Sequence, residues 1–566
     1  MARTPNEVRV DSLTTPTVLT YHERTKHYPG RYARAPAFLD WATQPDPFRR
    51  FEGAPRLPLD LVPTGDQPRY EPAFIPGNVP PERLGRLSVS QLFQDSLALS
   101  AWKQSGEARW PLRVNPSSGN LHPTEGYLIA GAIEGFHPTP AVYHYAPYEH
   151  ALERRADLRG QAWAYLAGQL PPDSVLVGLT SIHWRESWKY GERAFRYCQH
   201  DVGHAIGALA VAAAGLGWEA RLLEGVTDTE LSILLGVDGQ GGIEAEHPDC
   251  LLAIYPQSPP LGTVFSIDQQ RSFTIGDVTH APLHPTEWLG VPNRLSADHR
   301  AWPVIEAVAQ ATRKTEPPGV EFWHALPAIN ATPTLGQSSL ALRNVVQQRR
   351  SAVDFDGSTS ITRESFFHIL HKVLPGMGQV PFAALPWRPC IDLLLFVHRV
   401  AGTVPGLYAL LRDPRRKQTL QHLMMPSFVW TAPVDCPASL PLFLLEAGDA
   451  QQVAAQTSCG QQIASDGAFA TAMLADYRSS IETHGPWFYR RLHWEAGVVG
   501  QQLYLEAEAS GVRATGIGCF CDDLTHRTFG LKDDRFQVLY HLTVGGALED
   551  PRIQIAPPYA HERRKF

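Results

Sequence analysis

No apolar run in this 566-residue chain approaches the ~18 residues a membrane helix needs, and MARTPNEVRVDSLTTPTVLTYHERTKH at the N-terminus lacks the continuous apolar segment of a secretory signal. Both absences point to a cytoplasmic protein without a membrane partner. Charge is sparse, at 19% of residues, and the net charge of -7 leaves no positive field for nucleic acid. The seven cysteines are odd in number and scattered without paired CxxC spacing, which excludes a disulfide framework or a zinc ribbon. The closest pair, Cys519-Phe-Cys521, reads as loop-lining thiols. No GxGxxG follows a strand-like run, since GVDGQGG has the wrong spacing, and a Rossmann domain is disfavoured. What remains is an ordinary folded composition, 43% hydrophobic and 10% aromatic, in a chain long enough for more than one core.

Residues 1–84 are rich in proline and aromatics, as in YHERTKHYPGRYARAPAFLDWATQPDPFRRF, and read as an irregular arm wrapped on a folded body. Tyr21, His22, Lys26 and His27 are read there as packing residues rather than a site. SVSQLFQDSLALSAWK (88–103) predicts a helix with Leu92, Leu97, Leu99 and Trp102 on its buried stripe. EGYLIAGAI and PAVYHYAP pair as a hairpin, and DSVLVGLTSI is a buried strand. AFRYCQHDVGHAIGALAVAAAGLGWEARLL is a long Ala-rich helix ended by Gly215 and Gly217, with a strand behind it.

The chain repeats itself. YCQHDVGHAIGALAVAAAGLGWEA (197–220) aligns without a gap on RLHWEAGVVGQQLYLEAEASGVRA (491–514), with Gly203 on Gly497 and Gly217 on Gly511. EGYLIAGAIEGFHPTPAVYHYAP resembles CIDLLLFVHRVAGTVPGLYALLRD, LSVSQLFQDSLALSAWK resembles ITRESFFHILHKVLPGM, and HPDCLLAIYP resembles FQVLYHLTVGG. The expected organisation is an arm (1–84), a first α+β domain (85–257), a Pro-rich connector (258–335) and a second such domain (336–566).

The copies differ in their polar motifs. Only the second has QQRRSAVDFDG (347–357), whose arginines and serine suit a phosphate, because guanidinium holds phosphate oxygens in a fork. Only the first has NPSSGN (115–120), a turn whose hydroxyl and amide groups suit the polar edge of a planar heterocycle. Lys189 and Tyr190, in SWKYGERAFRY, are adjacent titratable groups that could act as base and proton relay, while the second copy has Thr483 and His484 there. His122 and Glu125 follow the NPSSGN turn, to shape a site or to hold the loop. His200 and His204 have helical i, i+4 metal spacing, but no third ligand is readable, and no metal is expected.

The pair RRSxxxFDG and PSSxN, with the long helix and the Gly-rich strand after it, resembles the FMN-dependent nitroreductase superfamily, in which two subunits share each flavin. KYGxRxxRY ahead of the helix resembles its SagB/ThcOx branch, the azoline dehydrogenases of peptide maturation. The resemblance implies a nitroreductase-like fold duplicated in tandem as a single-chain pseudo-dimer, with one FMN per chain. It places the phosphate grip on Arg349 and Ser351, with Val353 where the family has its next basic residue, and a late phosphate contact on Arg552. Ring contacts fall on Gly516 and Gly518 and, from the other copy, on Ser117, Ser118, Gly119 and Asn120. Lys189 and Tyr190 would take a proton while hydride passes to the flavin. The implied partners are a small-molecule or modified-peptide substrate and other biosynthetic enzymes. Two other readings stand: an NAD(P)H-dependent reductase of nitro, quinone or ene compounds, and a noncatalytic scaffold of a peptide-modifying complex.

Overall fold

A computed structural model describes residues 11–158, 160–257, 265–276, 287–324, 326, 340–376 and 378–560. Much of the connector (258–264, 277–286, 325 and 327–335) lies outside the described residues.

Two 22-residue helices, Ala194–Gly215 and Phe488–Ala509, lie at the centre, each buried over nearly its whole length. They touch where the sequence repeat aligns Gly203 with Gly497. A Cβ on Gly203 would lie 2.3 Å from the Trp494 carbonyl oxygen, and one on Gly497 would lie 2.3 Å from that of His200. The missing side chains let two backbones meet at a point of pseudo-twofold symmetry.

Each helix packs on its own antiparallel sheet. The first contains β1 (Arg56–Pro58), β2 (Thr124–Ala130), β3 (Ala141–Ala146), β4 (Ala151–Asp157), β5 (Val175–Ser181), β6 (Trp218–Leu222) and β7 (His247–Pro256), in the order β1-β4-β3-β2-β5-β7-β6. The second contains β8 (Ile391–Val397), β9 (Gly406–Leu410), β10 (Leu442–Ala447), β11 (Phe469–Asp476), β12 (Arg513–Ile517) and β13 (Phe536–Gly545), in the order β10-β9-β8-β11-β13-β12. Apart from the edge strand β1 the orders are the same, and the central strands are buried on both faces. The fold is therefore one α+β unit built twice.

Two expectations change. The segment 88–103 is a short helix, Arg86–Gln94, followed by a strand, Leu99–Ser105, so Leu99 and Trp102 leave the helical stripe. That strand pairs with Ala108–Arg113 and with Gln554–Ala556 from the far end of the chain. Tertiary pairing outweighs the local helical period there. The N-terminal arm also holds a helix, Asp11–Arg24, despite Pro16.

That helix has a counterpart in the connector, Pro303–Ala311. Thr25 Oγ1 donates to the Tyr21 carbonyl and Thr312 Oγ1 to that of Val308, both at 2.8 Å. Just beyond, the His27 amide donates to Asp522 at 3.0 Å and the Lys314 amide to Asp228 at 3.2 Å. One constant spacing relates Tyr21 to Val308, Thr25 to Thr312 and His27 to Lys314. The ion pair of Arg196 with Asp522 is likewise repeated by Arg490 with Asp228. The repeat thus extends into the arm and the connector.

Candidate functional site

The loop 115–122 leaves the small three-stranded sheet and enters β2. Gly119, Asn120 and His122 all have positive φ (58°, 60° and 53°), a region that costs a residue with a side chain of order 1 kcal/mol and comes easily only to glycine. An anchor on the long helix holds the loop in place. Asp201 accepts from the Ser118 amide at 3.0 Å and from its hydroxyl at 2.9 Å. Ser117 Oγ accepts from the His122 amide, and Asn120 Nδ2 donates to the Pro111 carbonyl. The second copy keeps the device: Glu495, at the position that aligns with Asp201, accepts from the Cys390 and Ile391 amides and from Trp387 Nε1.

The two acids differ in charge balance. Arg412 pairs with Glu495, while among the described residues Asp201 has no cation in contact. Burial raises the Asp201 carboxyl to about 7, against the hydrogen bonds from the loop that favour its charged form. Its folded pKa thus exceeds the unfolded value of ~3.9, so the folded state binds the proton more tightly. The resulting stability is present below about pH 4, is lost as pH rises towards 7, and is constant above that. Asp201→Asn is expected to flatten urea-denaturation midpoints between pH 4 and 7. An unchanged pH slope would remove Asp201 as its source.

This loop forms one wall of a cavity of about 360 Å³ between the two copies. Ser117, Ser118, Gly119, Asn120 and Tyr190 come from the first copy; Arg349, Ser351, Gly516 and Gly518 come from the second. Ser351 sits beside β12, its hydroxyl 3.0 Å from that of Tyr504, which also accepts from the Gly516 amide at 2.7 Å. At Gly516 and Gly518 a Cβ would run into Tyr540 and Tyr197, two further lining residues.

Lys103, Arg349 and Arg350 crowd one end of the cavity. Among the described residues none of the three is in an ion pair, and burial together with their mutual repulsion holds the Arg350 guanidinium down at about 10. Arg349 is 4% exposed; Nη2 donates to the carbonyls of Arg113 and Val114, and Nε has no partner. Deeper in, both ring nitrogens of the buried His122 lack a partner. Burial, then Arg113 and Arg185, keeps that imidazole well below its usual pKa and so neutral.

The structure does not bring Arg552 to this cavity. It is 82% exposed, with its guanidinium on Asp550 two residues away, and the late phosphate contact is corrected accordingly. Nor does Lys189 line it; the ammonium lies over the Tyr190 ring, 5.4 Å from its centroid. The Tyr190 phenol does line it, and burial, with Glu186 and Tyr197 beside it, lifts its pKa well above the usual value. Glu125 is a structural group, held by Arg185 and by His144 at 3.1 Å. His204 bonds Tyr540 at 3.1 Å while His200 stacks on the same ring. Tyr21, His22, Lys26 and His27 are all buried in contacts with the rest of the fold.

Sequence reasoning missed Lys103, Arg350, Tyr197, Asp201, Tyr504, Tyr540 and Cys519 among the lining residues. Arg350 was readable beside Arg349. Lys103 was not, because only the strand pairing 99–105 with 108–113 brings it here.

Ion pairs stand at the pseudo-equivalent position. Glu224 stands where the repeat puts Gly518, and Arg491 where it puts Tyr197. They pair at 2.6 Å, and Lys314 of the connector joins at 2.5 Å. Burial opposes the Glu224 charge, but Arg491 and Lys314 hold the carboxyl at about 2.

A cofactor such as FMN fits the open cavity by the chemistry of its walls: an unpaired cationic end for a phosphate, hydroxyl and amide groups opposite, and glycines where a side chain would close the space. No helix among the described residues is long and apolar enough to cross a membrane.

No family model and no curated protein matches the chain. Among solved structures, a protein from Anabaena variabilis provisionally designated a nitroreductase aligns over 94% of this chain and 99% of its own, at 21% identity and a TM-score of 0.66. A second so designated, from Ralstonia eutropha, covers 41% of this chain and 97% of its own, at 15% identity and a TM-score of 0.27. The E. coli microcin synthetase McbBCD complex with truncated pro-MccB17 bound covers 43% and 93%, at 18% identity and a TM-score of 0.26. The Anabaena likeness extends over both halves of the chain, which has a nitroreductase-like fold.

Proposed function

We propose that the chain is an FMN-dependent oxidoreductase with one flavin site per chain. The observation that carries this is the cluster of the buried Arg349 with the half-buried Lys103 and Arg350, none of them in an ion pair among the described residues, across one cavity from the 115–122 loop. Arg349, Arg350 and Ser351 would hold the phosphate, and Ser117, Ser118 and Asn120 the polar edge of the ring system. FMN, when bound, supplies two-electron hydride chemistry. The protein's share is orientation, exclusion of water and control of a proton at Tyr190.

The first reading is a SagB/ThcOx-type dehydrogenase that oxidises an azoline to an azole in a peptide-derived natural product. Tyr190 faces the cavity and would relay the substrate's proton, with the Lys189 ammonium over its ring. A second reading, a reductase, would use the same residue, since the half-buried Tyr190 phenol keeps its proton at neutral pH and could donate it to a newly reduced substrate.

Purified protein is expected to carry about one FMN per chain; two per chain would overturn the single-site claim, and none retained or rebound would overturn the flavin assignment. Proton transfer by a placed side chain contributes about 10²–10⁴-fold, so Tyr190→Phe is expected to lower turnover at least ~100-fold with flavin content unchanged. Bleaching by NADPH without other substrate selects the reductase. Full turnover in Tyr190→Phe removes the residue from the chemistry.

A further inference from the structure

A second cavity of about 360 Å³ opens on the far side of the first-copy long helix, and no step proposed above uses it. Its walls include His183, Phe195, Asp249, Glu306 and Ala309. The pseudo-symmetry shows why it is open. By the spacing that takes Gly203 to Gly497, His183 and Phe195 correspond to Tyr477 and Tyr489; by the spacing that takes Thr25 to Thr312, Ala309 corresponds to His22.

In the other half those three residues are packed together. The His22 ring lies 4.6 Å from the Tyr477 ring, with Nδ1 3.3 Å from the Tyr489 hydroxyl and Nε2 3.2 Å from Gln537 Oε1. His22 is an imidazole plug, and Ala309 supplies only a methyl group at its counterpart.

The vacated space keeps polar walls. His183 is 6% exposed, its ring stacked on His247 at 4.1 Å, and its Nδ1 lacks a hydrogen-bond partner. The two cations of the lining are engaged, Arg490 with Asp228 and Asp249, and Arg313 with the Thr229 hydroxyl at 2.9 Å. Among the described residues the lining carboxylates Glu306 and Asp238, both exposed, have no cation in contact, so acids outnumber arginines around the cavity. An unpartnered imidazole nitrogen beside carboxylates suits an N–H group with positive charge, and stacked rings suit a flat one.

We infer that this cavity is a binding site for a small organic cation carrying an imidazole-type ring, the free-ligand counterpart of the His22 side chain in the other half. The site is separate from the flavin cavity, with which it shares no lining residue. An occupant would bridge the first-copy sheet, the long helix and the helix Pro303–Ala311, and so stabilise their packing.

The test uses the full-length protein with its flavin content as purified, and imidazole and histamine as probes by calorimetry and thermal denaturation. Both probes are expected to bind and raise the melting midpoint with concentration, leaving the flavin absorbance unchanged. Ala309→His, which restores the plug, is expected to weaken both at least tenfold without loss of flavin. Ala309→Met fills the same space without a new polar group, and is the second variant should the histidine be poorly tolerated. Glu306→Gln is expected to weaken histamine, the cation at neutral pH, more than imidazole. Undiminished binding in both Ala309 variants, no binding to the wild type, or equal affinity for neutral phenol would overturn the inference.

Discussion

Arg349→Ala is expected to raise the Kd for FMN by about 100-fold, and Arg552→Ala to leave it within about twofold. The family resemblance places both arginines at a phosphate, but they are in opposite electrostatic states. The Arg552 guanidinium is in water and already bound to Asp550, so its removal costs the cavity nothing. That of Arg349 is buried, lies beside Lys103 and Arg350, and has an unused Nε. A hydrogen bond to a charged group contributes about 1.5–3 kcal/mol, and a guanidinium can make two to one phosphate. About 3 kcal/mol lost corresponds to about 100-fold in affinity. Arg349→Lys keeps the charge without the fork and should fall between the two. Fluorescence titration of flavin-free protein with FMN measures all three variants. Equal Kd values for wild type and Arg349→Ala would mean that the cluster does not face the phosphate.

Much of this arrangement was legible because it rests on local residue chemistry. NPSSGN is confined to the first copy and RRS to the second, and the structure brings the two to one cavity. The alignment of Gly203 on Gly497 marked the central crossing, since a glycine kept in both copies of a buried helix marks close backbone approach. What was not legible depends on non-local pairing. Leu99 and Trp102 fit a helical stripe, but a strand from residues 554–556 captures the segment. The arm's helix was hidden by its proline and by a mean hydropathy near neutral. Asp201 reads as an ordinary polar residue on an Ala-rich helix, and only the fold sets its carboxylate against the Ser118 amide. Arg552 differs for the opposite reason: its partner, Asp550, is only two residues away.

Gly203→Val is expected to be the most damaging single substitution away from the cavities. The distance from a Cβ at this position to the Trp494 carbonyl oxygen is 2.3 Å, and to the Gly497 Cα 2.8 Å. Both are backbone atoms within a buried helix, so no side chain can rotate out of the way. The helices would have to part by an ångström or more, and both copies' cores close on that contact. Overpacking a core ordinarily costs about 1–3 kcal/mol, and a branched side chain against backbone belongs at or above the upper end. That is a large share of the stability of an ordinary domain. Urea denaturation of Gly203→Val should show a lower midpoint, and flavin content should fall with it, because the cavity's two walls belong to the two copies that the crossing holds together. Gly497→Val should do the same by symmetry, whereas Gly511→Ala, where a Cβ meets nothing within 4 Å, should pay only for its positive φ of 75°. If Gly203→Val matched the wild type in both midpoint and flavin content, the crossing would not be what joins the halves of the site.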